Sequence, residues 1–186
     1  MGDLVYSMGV SIDGYAEDAD GGFGWAAPDE EVHALANKQA REASAFVYGR
    51  RMYDTLDDYW MQAAHESGRP RVEAEFAEAY AATPRYVVSD SLTAARNGAT
   101  LVPRAAVRTT VERLKAESDT HVGVGGPTLA ATMVDLIDEF RMWVMPVAVG
   151  AGRPFFPAGA GRLDLRLVEC LEFPSGAVWL SYRCRA

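Results

Sequence analysis

The chain has 186 residues, 49% of them apolar and 24% charged, an ordinary globular balance that excludes disordered, collagen-like and low-complexity classes. Asp and Glu outnumber Lys and Arg by 26 to 18, and the formal net charge of -8 argues against nucleic acid or an anionic membrane as a partner. This length fits one domain over residues 1–186 and not two full-sized ones.

The run Leu4–Ser11 reads as a strand closed by the turn-prone pair Asp13-Gly14, and an Asp/Gly-rich loop follows over 18–24. Pro28-Asp29-Glu30-Glu31 has acids in a first turn and starts a helix that runs to about Ala43. Ala45–Tyr48 is a short buried strand closed by Gly49. Val72, Phe76, Ala79 and Tyr80 recur at helical spacing up to the breaker Pro84. Strands are predicted at Arg85–Ser89, Leu101–Val102 and His121–Val124, with a helix over about 105–117 and another over about 128–137. Three strands close the chain, over 140–149, 163–173 and 177–184. The expected fold is a single α/β domain with a mixed, mostly parallel central sheet, flanking helices and a C-terminal antiparallel hairpin. Cys170 and Cys184 are the only cysteines. A Ser175-Gly176 loop sets them opposite Ser181 and Leu167, which leaves both as free thiols, as in a reducing compartment. No uncharged apolar run approaches the ~18 residues of a membrane span, and Met1-Gly2-Asp3 has no secretory-signal character. A cytoplasmic location is expected.

Open α/β sheets bind ligands beyond the carboxyl ends of their parallel strands, where glycine turns and helix starts present free N–H groups. Gly125-Gly126-Pro127-Thr128, between a buried strand and a helix, lets an anion reach the backbone. It serves equally as a tight turn. Gly49-Arg50-Arg51 adds two fixed positive charges at a second strand end. His33, His65 and His121 share no ligand spacing, so no metal site is expected.

Five motifs in order, Ser11-Ile12-Asp13-Gly14, Tyr48-Gly49-Arg50-Arg51-Met52-Tyr53, Tyr86–Leu92, Val124-Gly125-Gly126 and Val134–Glu139 leading to Pro146–Phe156, resemble the dihydrofolate-reductase-like family. Within it, the likeness is to stand-alone relatives of the C-terminal reductase domain of the bifunctional riboflavin-biosynthesis deaminase-reductase. The resemblance implies an NADPH-dependent reductase of a small heteroaromatic or carbonyl substrate, riboflavin-precursor-like or pterin-like. A non-catalytic nucleotide or small-molecule binding protein on the same fold is the alternative. In similar proteins the residues matching Gly49, Arg50, Arg51 and Met52 approach the adenosine phosphates. Those matching Ser89, Asp90 and Ser91 flank the 2′-phosphate and adenine, and those matching Val124, Gly125, Gly126, Pro127, Thr128 and Leu129 hold the pyrophosphate and nicotinamide side. Many relatives have Arg where this chain has Asp90, an anion that Arg50, Arg51 or Arg104 must compensate.

The substrate side is less determined. Reduction needs a proton source near the cofactor, and two carboxylates are candidates. Asp13 lies at the end of the first strand, where it either holds a substrate hydroxyl or makes an Asp-Gly turn. Glu30 follows Trp25 at the folate-acid spacing, whereas counting back from Gly49 gives His33. Trp25, His33 and Tyr53 are the candidate substrate contacts. Met142–Val149 is apolar on both faces and lies where edge strands are expected, which predicts a homodimer through this strand region.

Overall fold

The computed structural model describes residues 1–157 and 161–185. Among the described residues, ten strands and five α-helices follow one another. Strands β1 (Asp3–Ser11) and β2 (Tyr15–Asp18) precede helix α1 (Glu30–Glu42), then come β3 (Ala43–Gly49), α2 (Arg50–Ala63) and α3 (Arg71–Ala82). Next are β4 (Arg85–Val88), β5 (Thr100–Val102), α4 (Val107–Glu117), β6 (His121–Gly125) and α5 (Pro127–Ala131). The last are β7 (Glu139–Met145), β8 (Gly152–Pro154), β9 (Leu165–Glu172) and β10 (Val178–Cys184). The main sheet has the order β5-β4-β3-β6-β1-β7-β10-β9, and β2 pairs with β8 in a separate two-stranded ribbon. Every pairing from β5 through β7 is parallel, while β10 runs antiparallel to β7 and β9.

In β1 the residues Leu4, Tyr6, Met8 and Val10 are buried and join the main core, while Val5, Ser7 and Gly9 face a groove bordered by α1 and α2. Asp29 caps α1 by accepting from the Val32 N–H at 2.9 Å, as the acidic start at Pro28–Glu31 predicts. A buried ion pair fixes the ends of β4. Arg85 Nε donates to Asp57 Oδ1 at 2.9 Å, and the other guanidinium nitrogens reach the carbonyls of Tyr80, Thr83 and Asn97 at 2.7–3.0 Å. The same carboxylate accepts from Asn97 Nδ2 at 2.9 Å and from the Tyr80 hydroxyl at 3.3 Å.

Several expectations need correction. Helix α2 starts directly after the strand end at Gly49, where the sequence predicts no helix, and the Met52, Tyr53, Leu56, Trp60 spacing is the apolar side of that helix. The helix expected over 128–137 stops at Ala131, and a 3₁₀ turn at Val134–Leu136 follows. The hairpin loop has three residues, because Phe173 pairs with Ala177 and Gly176 adopts φ +86°. Cys170 therefore lies opposite Leu180, and a bulge at Val168 puts Cys184 opposite Leu165. Both thiols are free and exposed. Strand β7 is no edge: β1 and β10 pair with it on either side. Trp143 and Met145 line the groove, and Met145 packs with Val32 and Ala177. On the opposite face Met142 and Val144 are half-buried beside Leu180 and Val178.

Candidate active site

Two cavities meet at Met52. The first is a cleft of about 700 Å³ at the carboxyl ends of β3, β4 and β6, lined by the first turn of α2, by Gly126–Leu129 and by residues of α4. Gly49 caps α2 without a side-chain hydrogen bond, so the first-turn N–H groups of this 14-residue helix stay open to a ligand. Gly126 has φ +102°, a conformation that favours glycine, and it brings bare backbone to the cleft beside Gly49.

Five guanidinium groups line this cleft, Arg50, Arg51, Arg104, Arg108 and Arg153, against two carboxylates, Glu17 and Asp54. The local charge is positive in a negatively charged chain. Arg50 donates from Nη1 to Ser91 Oγ at 2.7 Å and from Nε to Asp54 at 3.3 Å. Arg51 pairs with Glu17 at 3.1 Å and donates to the Gly21 carbonyl. Arg153 shares Glu17 at 3.2 Å and donates to Thr128 Oγ1 at 3.0 Å, which ties the β2–β8 ribbon to the glycine turn. Arg108 makes a bidentate pair with Asp135, whose carboxyl it holds below the usual range. Asp90 is occupied from within: it accepts from the Arg104 N–H at 2.9 Å and lies 3.7 Å from the Arg104 guanidinium. Ser89 Oγ accepts from the N–H groups of Ser91 and Leu92, a turn that positions Ser91 beside Arg50.

The second cavity, about 300 Å³, is the groove between α1, α2 and the sheet. Its floor carries small residues, Ser7, Gly9, Gly123 and Gly125, and its walls include Tyr48, Trp60, Phe76 and Trp143. Burial pushes the Tyr48 phenol well above its usual range, so this ring keeps its proton. His33 lines the groove, with Nδ1 2.9 Å from Asn37 Oδ1 and its ring edge-on to Trp60 and Phe76. His121 lies in the groove lining, and burial followed by the nearby Arg141 charge lowers it to about 4.

Gly49, Arg50, Arg51, Met52, Arg104, Gly126, Pro127, Thr128 and Leu129 all line the cleft, and Val124 and Gly125 line the groove. Four residues singled out for the substrate side lie outside both cavities. Asp13 accepts from the N–H groups of Val149 and Gly150 at 3.2 and 2.7 Å, holding the loop after β7. Its pKa is lowered, first by a hydrogen bond from Ser11. Glu30 is exposed in the first turn of α1, on a separate surface hollow with Arg71 and Glu75. Trp25 packs against Val32, Met145 and Ala177, its buried Nε1 without a partner among the described residues. Tyr53 is buried, its hydroxyl accepting from Arg96 N–H at 2.6 Å and donating to Arg96 O at 3.0 Å. Glu17, Arg108 and Arg153 were missed. Arg108 follows Arg104 at helical spacing, and Arg153 lies inside the Pro146–Phe156 motif, so both left a signal in the sequence.

The family model described as the RibD C-terminal domain matches residues 3–179. The chain belongs to that family. It is 26% identical over 182 residues to the uncharacterized protein YyaP of Bacillus subtilis, which covers 96% of this chain and 93% of that one. Among solved structures, a putative riboflavin biosynthesis protein from Shewanella sp. PV-4 superposes with TM-score 0.74 at 18% identity over 99% of both chains. A pyrimidine reductase-like protein from Corynebacterium diphtheriae gives 0.67 at 14% identity, over 100% of this chain and 92% of that one. The deaminase/reductase of Thermotoga maritima gives 0.69 at 13%, and there the chain spans 57% of the longer protein. The dihydrofolate-reductase-like fold of stand-alone RibD C-terminal relatives is thereby shown. None of the described helices is long and apolar enough to cross a membrane.

Proposed function

We propose that this RibD C-terminal family member is an NADPH-dependent reductase acting on a small heteroaromatic or carbonyl compound. One observation carries the reading: an arginine-lined cleft at the strand ends shares Met52 with an apolar groove under α1. The cleft has what a dinucleotide needs, namely bare backbone at Gly126, the open start of α2 and five guanidinium groups. Arg50 and Ser91 are suited to a 2′-phosphate, and Arg104 relieves that phosphate of the Asp90 charge. Bound in this cleft, NADPH would supply a hydride, and reduction of the substrate would need one proton besides. The groove walls, Tyr48, Met52, Leu56 and Trp60, exclude water from the substrate. The pyrimidine reductase-like and riboflavin biosynthesis names of the structural neighbours support a substrate of that chemical kind.

A second reading, a binding protein without turnover, is favoured by one observation: among the described residues no carboxylate lines the groove, and Asp13 and Glu30 lie elsewhere. Energy transfer from tryptophan to NADPH, followed by an oxidation screen with pterin, flavin-precursor and quinone substrates, separates the two. Saturable transfer with turnover supports the reductase; saturable transfer without any oxidation supports the second reading, and no transfer refutes the reductase and leaves only binding of a small molecule other than this nucleotide. The proposal includes a homodimer through the half-open sheet face of Met142, Val144, Val178 and Leu180, with the clefts left accessible. It also includes a cytoplasmic location, to which two exposed free thiols are suited.

A further inference from the structure

Arg141 is the one charged side chain among the described residues that line the groove, and no carboxylate lines it. It projects from β7 on the same side of the strand as Trp143 and Met145, and only 14% of its side chain is exposed. Its single hydrogen bond among the described residues runs from Nε to Glu139 Oε1 at 2.6 Å. Glu139 is a shared counter-ion, since it also accepts from the Ser181 hydroxyl at 2.8 Å and lies 3.5 Å from Arg183. The Nη atoms of Arg141 therefore have no acceptor among the described residues and stay open to the groove, where an anion can meet them. His121, the other titratable group on that part of the lining, is neutral above about pH 4 and brings no compensating negative charge.

The register places this cation relative to the reacting end. Tyr6 pairs with Val124 and Ser7 with Arg141, so Gly125, Ser7 and Arg141 lie in one row across β6, β1 and β7. Gly125 to Arg141 is two strand spacings, roughly 10 Å between backbones. Between them the Ser7 hydroxyl accepts from Trp143 Nε1 at 3.1 Å and retains its own proton for donation. The floor along this row is thus small, with the Ser7 hydroxyl and the Arg141 guanidinium as donors.

We infer that the groove takes a planar conjugated compound carrying a carboxylate, with that anion on the Nη atoms of Arg141 and the hydride-accepting end toward Gly125 and Met52. This deepens the reductase reading and rests on it for the direction of the substrate. The site itself has a test that does not depend on turnover.

Trp60 and Trp143 line the groove and serve as reporters. The protein is titrated with 2-naphthoate and with its uncharged counterpart 2-naphthamide, in low-salt buffer. A charge-assisted hydrogen bond in a partly desolvated site gives the carboxylate a preference of about tenfold or more. Arg141→Met is expected to erase that preference, and Arg141→Lys to keep part of it. Because Arg141→Met leaves Glu139 with one cation fewer, the double variant Arg141→Met/Glu139→Gln repeats the measurement without the stranded carboxylate. Equal affinity for the two probes, no binding of either at millimolar concentration, or a preference that survives Arg141→Met overturns the inference. NADPH energy transfer is read on the same samples. Intact transfer without the carboxylate preference removes the anion site alone; lost transfer with the preference present supports the anion site and removes the reductase reading.

Discussion

Asp57 is fully buried and holds three donors from three parts of the chain: Arg85, Asn97 and Tyr80. Replacing it with Ala leaves a guanidinium that is 6% exposed with only carbonyl acceptors, and strips the Asn97 amide and Tyr80 hydroxyl of their buried partner. Removing one member of a buried, hydrogen-bonded ion pair costs about 3–5 kcal/mol, mostly from the uncompensated charge left behind. For a chain of this length each kcal/mol lowers the thermal midpoint by about 2–4 °C, so a drop of roughly 10 °C is expected. Far-UV circular dichroism on heating, with calorimetry as a two-state check, measures it. Asp57→Asn keeps an acceptor for Arg85 but turns one amide donor toward another, and is expected to fall between wild type and Asp57→Ala. A consequence for the cleft follows, because the Asn97 carbonyl and Arg96 backbone anchor the loop between Ser91 and β5. NADPH affinity should weaken in step with stability. A loss below about 1 kcal/mol for Asp57→Ala would refute the argument that this pair holds the loop.

Arg50→Ala should weaken NADPH by about tenfold, the cost of one charge-assisted contact, while NADH changes little; equal losses would remove Arg50 from the 2′-phosphate. His121 should make stability pH-dependent. Its folded value, about 4, lies below the usual 6.5, so the contribution is complete above about pH 6.5 and is lost as pH falls through 4. The total is about 3 kcal/mol, and urea midpoints of His121→Gln should be flatter over that window. Leu180→Asp should give monomers where the proposed dimer is expected for the wild type, because Leu180 lies on the half-open face beside Met142; light scattering giving 20.2 kDa for the wild type would refute the proposed dimer itself.

The parallel strands were legible because β3, β4 and β6 are short apolar runs ended by Gly49, Ser89 and Gly125, and such runs need burial on both faces. Strands β2 and β8 were not, since Tyr15–Asp18 and Gly152–Pro154 are short, polar and paired across more than 130 residues. Gly49 hid α2, having no side chain to cap it. The cleft residues could be read from glycine and arginine at strand ends, where chemistry and position coincide. The substrate side could not. Asp13 and Glu30 were chosen as acids near strand and helix ends, yet one is engaged by loop N–H groups and the other faces outward on α1. What the groove has instead is Arg141, a cation on a strand otherwise apolar from Met142 to Met145, and its inward direction depends on a register that the sequence does not carry.

The two cavities have one structural origin. Phe46 and Tyr48 project from β3 in a stacked pair with ring centroids 5.7 Å apart, and their rings lean over β6. A Cβ at Gly123 would come within 2.9 Å of the Phe46 ring, and one at Gly125 within 2.6 Å of the Tyr48 ring. The aromatic packing of the core therefore requires glycine at both positions. The same glycines clear the groove floor, and Gly125 leads directly into Gly126, whose positive φ turns the chain into the cleft. Met52, on the first turn of α2, lies 3.3 Å from the position of a Gly125 Cβ and walls both spaces. A larger residue at Gly125 would disturb core, groove and cleft together, which is why the join between an arginine-lined edge and an apolar slot lies at this point of the sheet.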